Sequence, residues 1–218
     1  MLRFFACLLF AAIAGPAAGQ VIISEIMYNP DSNEGGVGST DPCQTEWLEI
    51  YNAGDEAVSL AGWYLQDEDG RTEAMPDNTV IEPGQAIVLI PGAQSVTDFR
   101  AAWGRGFTVI KLDGWTVGNG TLDNLSNGPS DTNEVLTLVN ADDEVVDEVN
   151  YDDEEGWPSD SPDGASIVLI PDELSAEGND EGASWTRSTE GQLGARANRQ
   201  TDEYDGEDVG SPGTVATE

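Results

Sequence analysis

The stretch Glu46-Trp-Leu-Glu-Ile-Tyr-Asn52 alternates aliphatic residues with aromatic or acidic ones, and this alternation decides the fold. Successive side chains of an extended strand point to opposite faces of a sheet. Leu48 and Ile50 therefore lie on one face, and the aromatic and acidic residues lie on the other. The pattern predicts a strand with one face in a hydrophobic core and a second face that is covered or amphipathic.

Short apolar stretches of this kind recur along the chain, separated by turn residues such as Glu82-Pro-Gly84 and Asn140-Ala-Asp142. Such punctuation is typical of antiparallel β-structure, so we predict an all-β sandwich. The predicted strands are Val21 to Tyr28, Glu46 to Asn52, Gly62 to Gln66, Thr79 to Ile81, Ala86 to Ile90, Thr108 to Leu112, Glu134 to Val139, Val145 to Tyr151 and Ser166 to Ile170.

One short helix is predicted after Ser95. Ser95 precedes Asp98 at the spacing of a capping box, and Gly104 marks the end of the run. Phe99 and Trp103 recur on one helical face, and we expect this helix to close one end of the sandwich.

The N-terminal residues have the organisation of a secretory signal peptide. Arg3 precedes an apolar run from Phe4 to Ile13, and the small residues Ala17-Ala-Gly19 follow. We expect a signal peptide over residues 1–19 and a secreted or extracytoplasmic protein. The apolar run is too short to span a bilayer, so no membrane span is expected. The predicted domains are a β-sandwich over residues 20–200 and a disordered acidic tail over residues 201–218, where the sequence has little to bury.

The chain is strongly acidic, with 8 basic residues, 42 acidic ones and a formal net charge of −34. A surface of this charge repels nucleic-acid phosphates and attracts cations and basic partners. We therefore expect no nucleic-acid partner.

The chain contains no histidine. Its absence removes the commonest general base and the commonest zinc ligand, and leaves carboxylate or calcium chemistry. A carboxylate-based hydrolase needs two acids at a fixed separation, and among 42 acidic residues some pair meets that distance by chance. We predict that the protein is not an enzyme.

Several motifs occur in a distinctive order: Ile23-Ser-Glu-Ile-Met-Tyr-Asn-Pro30, Glu46-Trp-Leu-Glu-Ile-Tyr-Asn52, Val58-Ser-Leu-Ala-Gly-Trp63, Ile81-Glu-Pro-Gly84, Leu125-Ser-Asn-Gly128, Val146-Asp-Glu-Val-Asn-Tyr151 and Gly156-Trp-Pro158. In this order the chain resembles the lamin tail domain family in its bacterial secreted form. The resemblance implies an immunoglobulin-like β-sandwich with a binding or anchoring role. It implies no catalytic residues.

Two acidic loops are candidate calcium sites, because oxygen ligands at alternating positions of a loop can converge on one ion. The first candidate set is Asp152, Asp153, Asp160 and Asp163, and the second is Asp31 and Asn33. An ordinary solvated turn is the favoured interpretation of each loop. No cofactor is required, and calcium is the alternative.

Two tryptophans, Trp115 and Trp157, are flanked by loop residues and are candidates for a carbohydrate-stacking platform. Two acidic residues, Glu25 and Glu49, lie among strand apolars, where a buried carboxylate needs a partner. We expect that partner to be the backbone, or Arg71 or Lys111.

Together these patterns predict a secreted, non-catalytic β-sandwich module that contacts an extracellular protein, a matrix or a polysaccharide. The alternative is a calcium-dependent adhesion or carbohydrate-binding module.

Overall fold

A computed structural model of the chain describes residues 21–32, 45–125, 134–152, 156–159 and 162–217. The predicted signal peptide lies outside these residues. In chain order, the elements are β1 (Val21–Met27), β2 (Trp47–Asn52), β3 (Val58–Ser59), β4 (Tyr64–Gln66), β5 (Val80–Ile81), β6 (Ala86–Pro91), α1 (Val96–Trp103), β7 (Thr108–Leu112), β8 (Glu134–Val139), β9 (Val145–Tyr151), β10 (Ile167–Leu169), β11 (Trp185–Arg187), β12 (Arg196–Ala197) and β13 (Val209–Gly210). Within the described residues, the 3₁₀ helices Pro171–Glu173 and Gly182–Ser184 lie between β10 and β11.

The strands form two main sheets. One has six strands in the order β11-β10-β1-β2-β6-β7, and the other has three in the order β4-β8-β9. The pairs β3-β5 and β12-β13 form two small sheets. The prediction of an all-β, immunoglobulin-like sandwich with one short α-helix is confirmed. Pairing in the main sheets is antiparallel except between β6 and β7, which are parallel and are connected in the chain by α1.

The main core lies between the two large sheets. Leu48 and Ile50 of β2 are fully buried there together with Leu136 and Leu138 of β8. Burial of each such side chain stabilises the fold by roughly 1.5–3 kcal/mol. The alternation in the sequence therefore predicted the inner face of β2 correctly.

A second, smaller core covers the other face of the six-stranded sheet. Trp47 of β2 packs against Trp103 and Phe99 of α1, with ring centroids 5.6 and 6.3 Å apart. Ser95 caps α1 by accepting a hydrogen bond from the Asp98 backbone N–H at 3.2 Å, as its spacing predicted. The helix therefore packs on the face of the six-stranded sheet opposite the main core, and the prediction that it closes an end of the sandwich was wrong.

The C-terminal residues 201–214, here called the C-terminal strap, are ordered, and the prediction of a disordered tail was wrong. Tyr204 is 2 % exposed in the second core, and Val209 of β13 pairs with Ala197 of β12. The segment has few apolar residues, but its polar groups hydrogen-bond to the interior of the protein. Those bonds compensate for the small apolar area that the strap buries.

No helix in the described part of the chain is long and apolar enough to cross a membrane.

Candidate functional site

A concave groove lies between residues 56–63, which contain β3 and the turn that follows it, and the hairpin that joins β8 to β9. Its volume is about 380 Å³, at the lower end of the range for ligand sites. The floor is apolar and is formed largely by Val58, Trp63, Val145 and Val146. Val145 is 56 % exposed, the highest value among the large hydrophobic side chains of the described residues.

A β-bulge in β9 creates this apolar floor. Leu138 pairs with Asp147 and Val139 pairs with Val145, so Val146 is the extra residue of the bulged strand. A regular strand would send consecutive side chains to opposite faces, whereas a bulge redirects one of them. Val145 and Val146 therefore both line the groove.

The hairpin wall is held in shape by Asn140. Its Oδ1 accepts hydrogen bonds from the backbone N–H groups of Asp142 and Glu144 at 2.9 and 3.0 Å. Asp143 adopts the left-handed conformation with φ 59°, which Asp tolerates better than most residues. The hairpin is therefore preorganised.

Gly62 sets the separation of the two walls. Its φ is +81°, and a Cβ added there would lie 3.0 Å from the Cβ of Ala141 in the hairpin. Its N–H donates to the carbonyl of Met75 at 3.1 Å, and the next residue, Trp63, donates to the carbonyl of Leu60 at 3.0 Å. Close approach at Gly62 thus brings the turn against the hairpin.

A second feature of the molecule is the carboxylate pair Glu25 and Glu49. It lies on the face of the six-stranded sheet opposite the main core. The two residues are cross-strand partners on β1 and β2, and both are 0 % exposed. Ser24 is the extra residue of a bulge in β1, and it places Glu25 on the same face as Glu49. The Ser24 hydroxyl donates to Glu49 Oε1 at 2.8 Å.

The C-terminal strap supplies most other hydrogen bonds to the pair. Ser211 donates to Glu25 through its backbone N–H and its hydroxyl, each at 2.7 Å. Gly213 N–H donates to Glu49 Oε2 at 2.7 Å, and the Ser166 hydroxyl of the sheet donates to Glu25 at 2.6 Å. The strap therefore closes over both carboxyl groups.

Burial raises the pKa of both carboxyl groups because it disfavours the charged form. The pKa of Glu49 rises to about 8, through burial first and the nearby Glu25 charge second. Burial also raises the pKa of Glu25, against the opposing effect of the serine hydrogen bonds. Two adjacent buried carboxyl groups cannot both ionise at low cost, so at neutral pH the pair retains a proton.

The predicted backbone hydrogen bonds to the pair are present, from Ser211 and Gly213, but the cation beside it is Arg196 rather than Arg71 or Lys111. The Arg196 charge favours ionisation of Glu25, while its guanidinium donates to the Trp103 carbonyl at 2.6 and 3.0 Å. Arg71 instead lies over the Tyr64 ring at 4.8 Å, and Lys111 is exposed on β7. The sequence placed Arg196 outside any predicted strand, so the spacing gave no indication of this contact.

The predicted calcium residues are only partly described. Asp152 is half-buried and Asp163 is exposed, whereas Asp153, Asp160 and Asn33 lie outside the described residues. Within the described residues, no three or more Asp, Glu, His or Cys side chains are arranged to hold a metal ion.

The structure does bring parts of the two predicted calcium loops together. Asn29 donates to Asp163 Oδ1 at 3.2 Å, and a Cβ added at Gly164 would lie 2.9 Å from the Cβ of Asp31. The Asp31 backbone N–H donates to Asp208 of the strap at 2.6 Å. Burial raises the pKa of Asp208 to about 6, against its hydrogen bonds. Calcium binding at these loops stays a prediction.

The two predicted stacking tryptophans differ. Trp115 is 1 % exposed, and its indole N–H donates to Glu46 at 3.2 Å, so the prediction of a surface platform there was wrong. Trp157 is half-buried and lies 6.3 Å from Trp185 in a shallow depression, where stacking stays a prediction. The loop residues around Trp115 gave no indication of its burial, because the ring is enclosed through contacts with distant parts of the chain such as Glu46.

Sequence reasoning missed the groove. The available signal was Val145-Val146, an aliphatic pair at the start of a strand whose later residues alternate. Two consecutive apolar residues beside a turn indicate a bulge or an exposed apolar side chain.

Comparison with known proteins indicates the family. A model of the family described as Lamin Tail Domain matches residues 14–153. No curated protein matches significantly. The crystal structure of a DUF4876 family protein from Bacteroides thetaiotaomicron is similar over 90 % of this chain and 72 % of that chain, with 13 % identity and a TM-score of 0.43. Because the family model covers more than half of the 218 residues, the chain belongs to the Lamin Tail Domain family.

Proposed function

We propose that this protein is a non-catalytic, extracytoplasmic binding module that engages a partner protein through the groove between residues 56–63 and the β8–β9 hairpin. The observation that carries the proposal is the exposure of Val145, 56 %, at the apolar floor of a preorganised concave surface. Concave apolar surfaces with a polar rim are typical of interaction sites.

A non-catalytic role agrees with the state of the interior carboxylates. Glu25 and Glu49 have the proximity of an acid pair, yet both are 0 % exposed under the strap and accept hydrogen bonds from protein donors. A substrate has no access to them in this arrangement. The chain also lacks histidine.

An extracytoplasmic location is supported by the sequence of residues 1–19 and by the net charge of −34. A dense negative charge keeps a protein soluble and attracts basic partners.

The proposal is tested by partner capture with matched variants. Wild-type protein, V145E and V117E are immobilised and exposed to the extracellular proteins of the source culture, and bound proteins are quantified by mass spectrometry. Val117 is 53 % exposed but lies outside the groove, so V117E is the control. We expect a partner that wild type and V117E retain equally and that V145E loses by about tenfold, which corresponds to about 1.4 kcal/mol. Equal recovery on all three proteins would overturn the proposal.

Two further measurements test the alternatives. Turnover of a polysaccharide or phosphoester by pure protein, abolished by replacing one acidic residue, would make the protein a hydrolase. Partner recovery that is lost in EDTA, restored by calcium and absent in D163N would instead assign binding to a calcium-dependent site.

A further inference from the structure

The rim of the groove is chemically different from its floor. Glu56 stands on one wall, and Asp142 and Glu144 stand on the hairpin wall. No lysine or arginine of the described residues lines the groove. The apolar floor is therefore flanked by negative charge on both sides.

Asn140 fixes the backbone of both hairpin acids and the carboxylate of Glu144. The Asn140 side chain holds the backbone N–H groups of Asp142 and Glu144, and its Nδ2 donates to the Glu144 carboxylate at 3.1 Å. Asp142 and Glu144 are both exposed, so their charges face solvent and any bound partner.

The geometry points to a basic, extended segment of a partner protein as the occupant of this groove, with apolar side chains on the floor and lysine or arginine side chains at the rim. This inference rests on the proposed function. Side chains of an extended peptide alternate between two faces, so one face contacts Val58 and Val145 while flanking basic side chains reach the acids. Long basic side chains also keep their charges in water while their stems pack on apolar surface.

The charge of the whole molecule favours the same occupant. A net charge of −34 attracts a basic segment from a distance and repels an acidic one. The Debye length is about 8 Å at physiological ionic strength, so the attraction weakens as salt is added. Association should therefore depend strongly on salt.

Two other occupants fit less well. A sugar ring stacks on an exposed aromatic face, and the floor tryptophan, Trp63, is only 8 % exposed. A second copy of this chain would bring like charges together, because the rim is acidic and the chain has only 8 basic residues against 42 acidic ones.

The test uses defined peptides and fluorescence anisotropy. The probe is a labelled seven-residue peptide that alternates lysine and leucine, and the comparison peptides replace lysine by glutamate or leucine by glycine. We expect saturable binding of the lysine–leucine peptide only, weakened at least tenfold by V145E and unchanged by V117E. Equal binding of the lysine–glycine peptide would show that charge alone acts and would overturn the inference.

The rim is tested with charge-matched variants. D142N/E144Q removes two rim charges but keeps the hydrogen-bonding atoms, and D172N/E190Q removes two exposed charges elsewhere. We expect about tenfold weaker binding for the rim variant and less than about twofold for the control. Equal weakening by both variants would overturn the inference.

The two proposals fail in different ways. If no peptide binds while V145E still loses the captured partner, the basic-peptide inference is wrong and the binding module stands. If V145E retains the captured partner, both are wrong, because the inference depends on the groove.

Discussion

The carboxylate pair and the groove both place acidic side chains beside apolar ones. The two regions differ in whether the rest of the protein buries these side chains and donates hydrogen bonds to them. At the pair, Glu25 and Glu49 are 0 % exposed, and the C-terminal strap donates hydrogen bonds to both. At the groove, Val145 is 56 % exposed, and the rim acids face solvent.

We interpret the carboxylate pair as a feature that stabilises the fold and the groove as the proposed recognition surface. A buried acid that protein donors satisfy contributes to a particular packing of the chain, and removing its donors is costly. An apolar floor left open beside fixed charges contributes little to stability and remains available to a partner. We therefore expect changes at the pair to alter folding and changes at the groove to alter binding.

The largest expected effect is at the strap. Deleting residues 201–217 removes the buried Tyr204 ring and the donors from Ser211 and Gly213. Loss of a large buried side chain costs about 3–5 kcal/mol, and each buried carboxylate left unpaired adds about 1–3 kcal/mol. We expect the free energy of unfolding, measured with urea, to fall by at least about 5 kcal/mol.

The control deletion removes residues 216–217 only, which lie beyond both the strap and Val215, a partly buried residue that packs on the main core, and it should leave the urea midpoint almost unchanged. A milder variant, S211A, keeps the chain length and should lower the free energy of unfolding by about 1–2 kcal/mol. Full stability of the longer deletion would show that the strap does not complete the carboxylate pair.

The second effect is the pH dependence of stability. Burial and the Glu25 charge raise the pKa of Glu49 to about 8 in the folded protein, above its ordinary value of 4.5. The folded state therefore binds more protons than the unfolded state between these values, and its stability falls as pH rises through this window. Raising the pH from 5 to 8.5 should lower the free energy of unfolding by on the order of 3 kcal/mol.

E49Q isolates this effect. The amide oxygen can still accept hydrogen bonds, but the side chain no longer titrates, so the pH dependence of the urea midpoint should flatten. E190Q removes an exposed charge and should retain the wild-type pH dependence. An E49Q protein with an unaltered pH profile would mean that other acids, such as Asp147 with its pKa raised by burial to about 6, dominate.

The alternation of apolar residues was enough to predict the sandwich, because burial of one strand face is a local property of the sequence. Residues 46–52, the helix cap at Ser95 and strands β7, β8 and β9 follow the predicted pattern. The strap was mispredicted because its order depends on Glu25 and Glu49, which lie more than 150 positions away in the chain. Composition alone made it resemble a disordered tail.

The groove was not predictable for a similar reason. It needs the bulge at Val146, the hairpin turn and the close approach of Gly62 to Ala141, and only tertiary packing brings these together. Likewise, the depth at which Trp115 is buried depends on contact with Glu46 from another part of the chain.

A smaller expected effect is at Gly62. G62A and G120A both place a side chain at a φ of +81°, so each should lose about 1 kcal/mol of stability. Only at Gly62 does the added Cβ approach the hairpin, because nothing lies within 4 Å at Gly120. We expect G62A alone to weaken binding of the lysine–leucine peptide, measured by anisotropy. Equal affinities for the two variants would contradict the account of how the walls are spaced.

The smallest effect on stability is expected at Val145. Because this side chain is 56 % exposed, V145E should change the free energy of unfolding by less than about 0.5 kcal/mol while it weakens binding at least tenfold. The urea midpoint and the peptide affinity of the same preparation separate the two effects. A large loss of stability would place Val145 in the core rather than in an open site.

The most direct measurement is a ¹⁵N chemical-shift titration of the wild-type protein with the lysine–leucine peptide. The account predicts saturable shifts of the backbone amides of Val58, Val145 and Val146, with Ser211 and Gly213 of the strap unchanged. Shifts confined to the strap, or spread evenly over the acidic surface, would contradict the division between a closed carboxylate pair and an open binding groove.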